Sequence, residues 1–172
     1  MTNEELNKWG KSIIERVKLK SSEFGDPPLS FATFYSPLVM NPDLMVIGDN
    51  PGGAMDQISL EDIPLTHDYF KTGDEDYKMA IAMREKIFNT EYLRAILKDS
   101  VKTNRICFRT PDLQTLNALP KSKEILRFSE DIFKEMIETL KPKAILAESF
   151  GCYEALDKKW ETLVLKPNST KA

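Results

Sequence analysis

The hydrophobic pattern predicts helices that alternate with short strands. Apolar residues recur at the helical period in Asn3–Lys20, in Tyr77–Lys98 with a break near Asn89-Thr90, in Ile125–Leu140 and, more briefly, in Tyr153–Lys159. Strands are predicted at Leu44–Ile47, Thr103–Pro111, Ala144–Ala147 and Thr162–Leu165. Such alternation favours right-handed crossovers. We therefore expect an α/β fold: a three-layer α/β/α sandwich with a short, mainly parallel four-stranded sheet.

The first predicted strand ends in a polar turn, Gly48-Asp49-Asn50-Pro51-Gly52-Gly53. In open α/β sheets, ligands bind outside the carboxyl ends of the strands. Gly52 and Gly53 allow positive φ or the close approach of a ligand, and Pro51 stiffens the turn. The pattern favours a binding site here, although a strand-to-helix turn without chemistry has the same composition.

Two common phosphate-binding turns are excluded by sequence. Ala54-Met55 stands where a P-loop requires Lys followed by Ser or Thr. Asn50 replaces the second glycine of the dinucleotide motif. Any chemistry at this turn is therefore of another kind.

Composition indicates one domain, residues 1–172, with a core of its own. The N-terminus has no signal-peptide pattern and no apolar run could span a bilayer, so we expect a soluble, cytoplasmic monomer without membrane contact. Two cysteines and one histidine make an iron–sulfur cluster or a zinc site improbable, and no cofactor is expected. The net charge of −3 argues against avid, non-specific binding to nucleic acid.

A long acidic connection, Ala54–Asp76, follows the turn and contains the single histidine, His67. Loops of this length in a compact domain are usually functional or mobile. His67 could act in acid–base chemistry, or it could be an inert histidine on a surface loop, which is the commoner case. Aromatic residues before the turn, Phe24, Phe31, Phe34 and Tyr35, are interpreted as packing residues, and Met79, Met83 and Ile87 as core.

Three polar segments flank predicted strands, and their order resembles that of the uracil-DNA glycosylase superfamily. Gly48-Asp49-Asn50-Pro51-Gly52 resembles the G-x-N-P-G form of its first motif, found in the mismatch-specific and single-strand-selective branches. Thr103–Pro111 resembles the T-N-x-x-K-C-R-P-P stretch of the bacterial branches, and Lys141–Ala147 resembles the strand that K-P-K commonly precedes. The resemblance extends from about Pro42 to Ser169.

The resemblance implies roles for particular residues. Asn50 would position the attacking water, and it can orient water without accepting a proton outright. Asn104 would read the uracil edge, because its amide offers both a donor and an acceptor. Asp49 could be an acid, or only a solvated turn residue. The base would be flipped into the pocket, with Phe70 or Tyr69 as candidates to stack on it.

The last motif departs from the family pattern. Leu165-Lys166-Pro167-Asn168-Ser169 places Lys166 where the family has the histidine that stabilises the departing uracil anion. A cation could serve the same purpose, or the site could be degenerate. The sequence ends at Ala172, before the position of the family's DNA-intercalating loop, so single-stranded DNA is expected rather than duplex.

The leading hypothesis is an N-glycosidase that excises uracil or a related deaminated base from DNA. Its expected catalytic residues are Asn50, Lys166 and Asp49, and its expected substrate-binding residues are Gly48, Pro51, Gly52, Gly53, Asn104, Phe70, Arg109 and Ser169. One alternative is a non-catalytic module of the same fold that binds a base or nucleic acid. Another is a protein-interaction domain that uses the acidic segment Asp56–Asp76. Clustering of Lys102, Arg105, Arg109 and Lys166 beside the turn would favour nucleic acid.

Overall fold

The computed structural model describes residues 1–55, 57–71 and 78–156. In chain order, its elements are α1 (Asn3–Phe24), β1 (Met45–Gly48), a short 3-10 turn (Asp68–Phe70), α2 (Lys78–Ala82), a π-helical turn (Met83–Ile87), α3 (Glu91–Lys98), β2 (Val101–Asn104), α4 (Leu113–Ala118), α5 (Ser122–Leu140), β3 (Ile145–Ala147) and α6 (Phe150–Ala155). The fold is mixed α/β, as the hydrophobic pattern predicts. None of the helices in these ranges is long and apolar enough to cross a membrane.

The sheet is small and entirely parallel in the described part of the chain. Its order is β2-β1-β3, so the first strand occupies the centre. Met45 pairs with Val101 on one side and with Ile145 on the other. The predicted sheet of four strands is corrected to three over the ranges described, because the expected strand Thr162–Leu165 lies outside them.

Local sequence signals account for the two long helices. Thr2 and Glu5 form a reciprocal capping box at the start of α1, which satisfies backbone donors that a helix leaves unpaired. The predicted helix is confirmed and extends four residues beyond Lys20. The predicted stripe of α5 is also confirmed, and its buried members include Ile125, Ile132, Phe133, Met136 and Leu140.

Apolar side chains pack on both faces of the sheet. Met45 and Ile47 join the larger core with α1 and α5, whereas Val46 joins a smaller core with residues of α2 and α3. This division follows from the alternation of side chains along a strand. Both cores therefore meet at β1, and all four of its residues are buried.

The segment before β1 is held by packing and isolated bridges. Phe31, Phe34 and Tyr35 are buried, and Phe24 contacts Phe108 edge-on at 5.4 Å between ring centroids. Phe34 bridges to Thr103, and Phe31 bridges to Phe108. The interpretation of these aromatics as packing residues is confirmed.

The predicted position of β2 was wrong. The prediction placed the strand within Thr103–Pro111, centred on the apolar residues Ile106–Phe108. The strand is the more polar segment Val101–Asn104, and the apolar residues follow it as a buried loop. Its polar side chains find partners: Lys102 Nζ lies 2.9 Å from Asp68 Oδ2, and Thr103 Oγ1 donates to the Thr33 carbonyl at 2.7 Å. Partners distant in sequence therefore make a polar segment suitable for burial.

Other boundaries also differ from the predictions. Of the three residues interpreted as core, Met83 is buried, but Met79 and Ile87 are largely exposed. The break before α3 and its Thr90 cap are confirmed. The helix predicted at Tyr153 begins at Phe150, because Ser149 caps it by accepting from Cys152 N. Strand β3, expected to be buried, is half-buried, and α4 was not predicted.

Candidate functional site

Three polar positions converge at the carboxyl edge of the sheet. Gly48 ends β1 and stands opposite Asn104, the last residue of β2, in the parallel register. Glu148 directly follows β3, and its backbone N–H continues the pairing by donating to the Ile47 carbonyl at 2.9 Å. This edge is where an open α/β sheet presents its ligand site.

Gly48 makes room for the two side chains beside it. A Cβ built on Gly48 would overlap Asn104 Oδ1 and would lie 3.0 Å from Glu148 Oε2. The Asn104 amide and the Glu148 carboxyl therefore both border the space directly above this glycine. The turn glycines behave as the sequence predicts, since Gly52 and Gly53 have φ of 62° and 82°.

Asn50 is oriented by the segment that follows β2. Its Nδ2 donates to the Thr110 carbonyl at 2.8 Å and to Thr110 Oγ1 at 3.1 Å. A carbonyl only accepts hydrogen bonds, so the amide nitrogen has to face it and Oδ1 turns the other way. No residue in the described ranges hydrogen-bonds to Asn50 Oδ1, which leaves that oxygen able to hold a water.

Asp49 anchors the turn to the helix after β3. Ser149 Oγ donates to Asp49 Oδ2, Cys152 Sγ donates to Oδ1 at 3.3 Å, and Arg105 Nη2 lies 3.5 Å from Oδ1. Both carboxylate oxygens are thus engaged by protein groups. These contacts give Asp49 a role in holding the turn rather than in proton transfer.

Glu148 is a candidate functional residue that sequence reasoning missed. Its Oε1 is buried and has no hydrogen-bond partner among the described residues. Burial, with a smaller contribution from the charge of Asp68, raises the pKa of the Glu148 carboxyl to about 7. One signal was present: Glu148 is the first charged residue after an apolar strand, the position that had drawn attention to Asp49 after β1.

Tyr35 and Lys102 are two further buried polar residues in this part of the structure. Tyr35 is buried, which raises the pKa of its phenol, and its hydroxyl lies near the Asn104 amide without a well-formed hydrogen bond to any described residue. Lys102 Nζ lies over the Tyr69 ring at 3.9 Å from the centroid as well as against Asp68. Burial lowers the pKa of Lys102, and the Asp68 charge opposes that change.

Arg109 lies across the outside of the turn. Its Nη1 is 3.4 Å from the Gly52 carbonyl, 3.5 Å from the Pro51 carbonyl and 3.3 Å from Gln57 Oε1. Its Nε is buried and lacks a partner among the residues described. Arg109 thus stabilises the backbone of the turn, and part of its donor capacity is unused there.

The structure places the two candidate stacking residues in the smaller core. Tyr69 is fully buried beneath Lys102, so neither face of its ring is open to a base. Phe70 is half-buried and meets the His67 ring edge-on at 5.9 Å. Lys166 and Ser169, predicted to complete the site, lie outside the described residues.

His67 is buried, so the expectation of a surface loop histidine was wrong. Ser100 Oγ donates to the Leu97 carbonyl, so His67 Nε2 has to donate to Ser100 Oγ at 3.0 Å while Nδ1 accepts from Tyr69 N at 3.2 Å. Burial, reinforced by the charge of Lys102, lowers the His67 pKa to about 4. The neutral ring is a structural cap on the turn at Asp68–Phe70.

A surface cavity of about 890 Å³ lies away from this edge of the sheet. It is lined by residues 22–30 and 119–121 together with Met55, Gln57 and Ser59. Its lining residues nearest the turn in sequence are Met55 and Gln57, and Arg109 contacts Gln57. Its lining does not include the polar groups that converge at Gly48. The volume of a cavity alone therefore does not identify the candidate site.

Basic residues surround the turn, but their charges are largely engaged. Arg105 pairs with Asp49 and lies 3.8 Å from Glu130, and Lys102 pairs with Asp68. Arg109 contacts backbone carbonyls. Two of the four residues proposed as a basic cluster, Arg105 and Arg109, thus contact the turn. Lys102 contacts Asp68 instead, and the fourth, Lys166, is not described.

Comparisons with protein-family models, with curated proteins and with solved structures find no match to this chain.

Proposed function

We propose that the chain is a uracil-DNA glycosylase-like N-glycosidase that removes uracil or a related deaminated base from DNA, as in base-excision repair. The observation that carries the proposal is the arrangement of Asn104, Gly48 and Asn50. Asn104 stands opposite Gly48 in the parallel register. Asn50 lies two residues after Gly48, and its side-chain oxygen Oδ1 accepts no hydrogen bond from any described residue. The proposal also rests on the motif resemblance in these same segments.

The chemistry requires two polar groups on different parts of the substrate. The Asn104 amide can donate to a uracil carbonyl and accept from N3–H, which reads the base edge. Asn50 Oδ1 can hold a water near the sugar, where cleavage of the N-glycosidic bond leaves an oxocarbenium-like centre. Gly48 has no side chain, which lets the Asn104 amide and the Glu148 carboxyl lie over the end of β1, where the base edge would be read.

The proposed architecture is a three-layer α/β/α sandwich. Its support is the packing of one core on the face of Met45 and Ile47 and of another on the face of Val46. In such a fold the strand ends form the floor of the site, and the loops after them form its walls. No metal or organic cofactor enters the proposed mechanism, and the enzyme would act as a monomer.

Single-stranded DNA is the proposed substrate. Arg105 is paired with Asp49 and Lys102 with Asp68, so the charges of these two residues are already compensated and add little to the binding of a highly charged duplex. A base in a single strand also enters a pocket without the cost of unpairing. Both arguments favour a flexible strand over a helix.

The proposal is tested with a single-stranded oligonucleotide that contains one uracil, incubated with excess protein and then treated with alkali. We expect strand scission with the wild type, and a loss of at least about 10²-fold in rate for Asn50→Ala and for Asn104→Ala. Asn117→Ala, at an exposed position of α4, is the matched control and should retain the wild-type rate.

No scission by well-folded wild type would contradict the catalytic proposal. Binding of free uracil that is weakened in Asn104→Ala would then favour the second candidate, a base-binding module of the same fold. Asn50 gives that candidate its own support, because an amide cannot take up a proton as a carboxylate does.

A further inference from the structure

We propose that Glu148 is the general acid of this site and transfers a proton to the departing base as the glycosidic bond breaks. The inference rests on the proposed function and adds a catalytic residue to it. Its starting point is the position of Glu148 at the end of β3, beside Asn104 and above Gly48.

Because of its location, Glu148 would transfer its proton to the base rather than to the sugar. Its Oε2 and Asn104 Oδ1 both lie within 3.0 Å of the same point above Gly48. A base held by the Asn104 amide would therefore also meet the Glu148 carboxyl. Asn50, by contrast, is turned towards the Thr110 segment, and its oxygen is the group left for water.

The buried oxygen of Glu148 favours the neutral form of the carboxyl. Oε1 makes no hydrogen bond within the described ranges although water does not reach it. A buried polar atom without a partner destabilises the folded state, and more so when it is charged. The cost is smaller for the neutral carboxyl than for the carboxylate, so this position favours a proton on Glu148.

The surroundings keep a proton on Glu148 near neutral pH. Burial disfavours its charged form, and Asp68 adds a negative charge nearby, which together raise its pKa to about 7. Asp68 is itself paired with Lys102 at 2.9 Å and with Lys71 at 3.4 Å. The other groups around Asn104 are the neutral Tyr35 hydroxyl and the guanidinium of Arg109, whose charge acts on Tyr35.

No other described residue is as well placed for this role. The imidazole of His67 has both nitrogens engaged, and its pKa of about 4 keeps it neutral. Both oxygens of Asp49 are bound by protein groups. Glu148 combines access to the proposed base position with a proton that can be given up at neutral pH.

The proposed step conserves atoms and charge. The bond from the sugar C1′ to the base nitrogen breaks, and its electron pair stays with the base. The carboxyl proton of Glu148 passes to a carbonyl oxygen of the base, giving a neutral enol that reverts to the keto form. Water adds its oxygen to C1′, and the proton it loses is balanced by the proton that Glu148 recovers from solvent.

The test is the single-turnover rate of uracil release from a single-stranded oligonucleotide between pH 5 and pH 9. We expect the wild-type rate to fall by about tenfold per pH unit above an apparent pKa near 7. Glu148→Gln should be about 10²-fold slower at pH 6 and should lack this fall. Glu148→Asp should restore part of the rate together with the fall, a rescue that a purely structural role does not predict.

The matched control is Glu138→Gln, at an exposed position of α5, which should retain the wild-type profile. A Glu148→Gln variant with the wild-type rate and the same fall above pH 7 would overturn the role of Glu148 and leave the glycosylase proposal standing. A folded wild type that releases no uracil at any pH would overturn both.

Discussion

Single buried polar residues fall into two groups according to whether the chain itself satisfies them. His67 and Thr103 make hydrogen bonds to groups that are equally buried, and they stabilise the fold. Glu148 Oε1 and Arg109 Nε are buried without a partner among the described residues, and both belong to segments at the carboxyl edge of the sheet. An unsatisfied group beside the candidate site is available to a ligand at a cost in stability, whereas others, such as Thr33 Oγ1 in the segment before β1, lie elsewhere.

His67 provides a prediction about pH and stability. Its pKa is about 4 in the folded protein against 6.5 for the unfolded chain, so the unfolded chain binds more protons between these values. The free energy of unfolding should therefore fall by about 2–3 kcal/mol from this residue as the pH drops from 6.5 to 4. His67→Asn keeps an acceptor for Tyr69 N but cannot titrate.

Urea unfolding of the wild type and of His67→Asn at several pH values checks this. At pH 7.5 the variant should be less stable by about 1 kcal/mol, because it loses the hydrogen bond to Ser100. The difference should shrink or reverse at pH 4.5. Parallel pH dependences in the two proteins would contradict the burial of a neutral imidazole.

The candidate site could be predicted from sequence only in part. The turn at Gly48, and Asn104 as a candidate site residue, follow from strand ends and from the motif resemblance. Glu148 could not be assigned, because a glutamate after a strand is ordinarily solvated, and its significance depends on burial by groups distant in sequence. His67 was misjudged for the same reason, since Ser100 lies 33 positions further along the chain.

Among the elements, β1 and β2 are coupled at their last residues. Gly48 has no side chain, and Asn104 occupies the space that a Cβ would need. The last residues of the two strands therefore pack against each other, and a substitution at one position should change the effect on stability of a substitution at the other. This coupling can be measured separately from any activity.

The prediction is a double-mutant cycle on Gly48→Ala and Asn104→Ala. Gly48→Ala alone should lower the free energy of unfolding by about 1–3 kcal/mol, because the new methyl group overpacks against the Asn104 amide. In the Asn104→Ala background the same change should cost less, since the opposing oxygen is gone. Equal costs in both backgrounds, measured by chemical denaturation, would show that the two positions are independent.

Elements with their own capping and periodic signals were predictable, and those defined by tertiary partners were not. The helices α1 and α5 have caps or broad apolar stripes, and their predictions are confirmed within a few residues. Strand β2 is polar at Lys102, Thr103 and Asn104, and only its buried partners make it a strand. Helix α4 is six residues long, too short for periodicity to define.

At the scale of the whole molecule, charge sets how binding should respond to salt. The net charge is −3, and the basic residues nearest the turn are paired or contact carbonyls. Few phosphates can then be neutralised on binding. The affinity should come mainly from the pocket and only weakly from the backbone of the nucleic acid.

We therefore expect a shallow salt dependence for a short uracil-containing single strand. With one or two phosphates neutralised, the slope of log affinity against log salt should be about −1, from roughly −0.7 per phosphate. Arg109→Ala should reduce its magnitude by about 0.7, whereas Lys8→Ala, exposed on α1, should leave it unchanged. A steep slope in fluorescence-anisotropy titrations would contradict a pocket-dominated mode of binding.

The α/β class and the parallel sheet were predictable because helices and strands alternate along the chain. The strand order was not, since it depends on which strand pairs with which, and nothing local to Met45–Gly48 indicates that this segment is central.

The central position of β1 has a consequence for synthesis on the ribosome. Both of its partners are translated later, Val101–Asn104 about fifty residues after it and Ile145–Ala147 about a hundred. Up to the end of α3, the described residues contain no strand with which β1 pairs, so in a nascent chain of that length its four buried residues have no sheet to enter. We therefore expect the sheet to assemble only after most of the chain has left the exit tunnel, which leaves β1 exposed to aggregation until then.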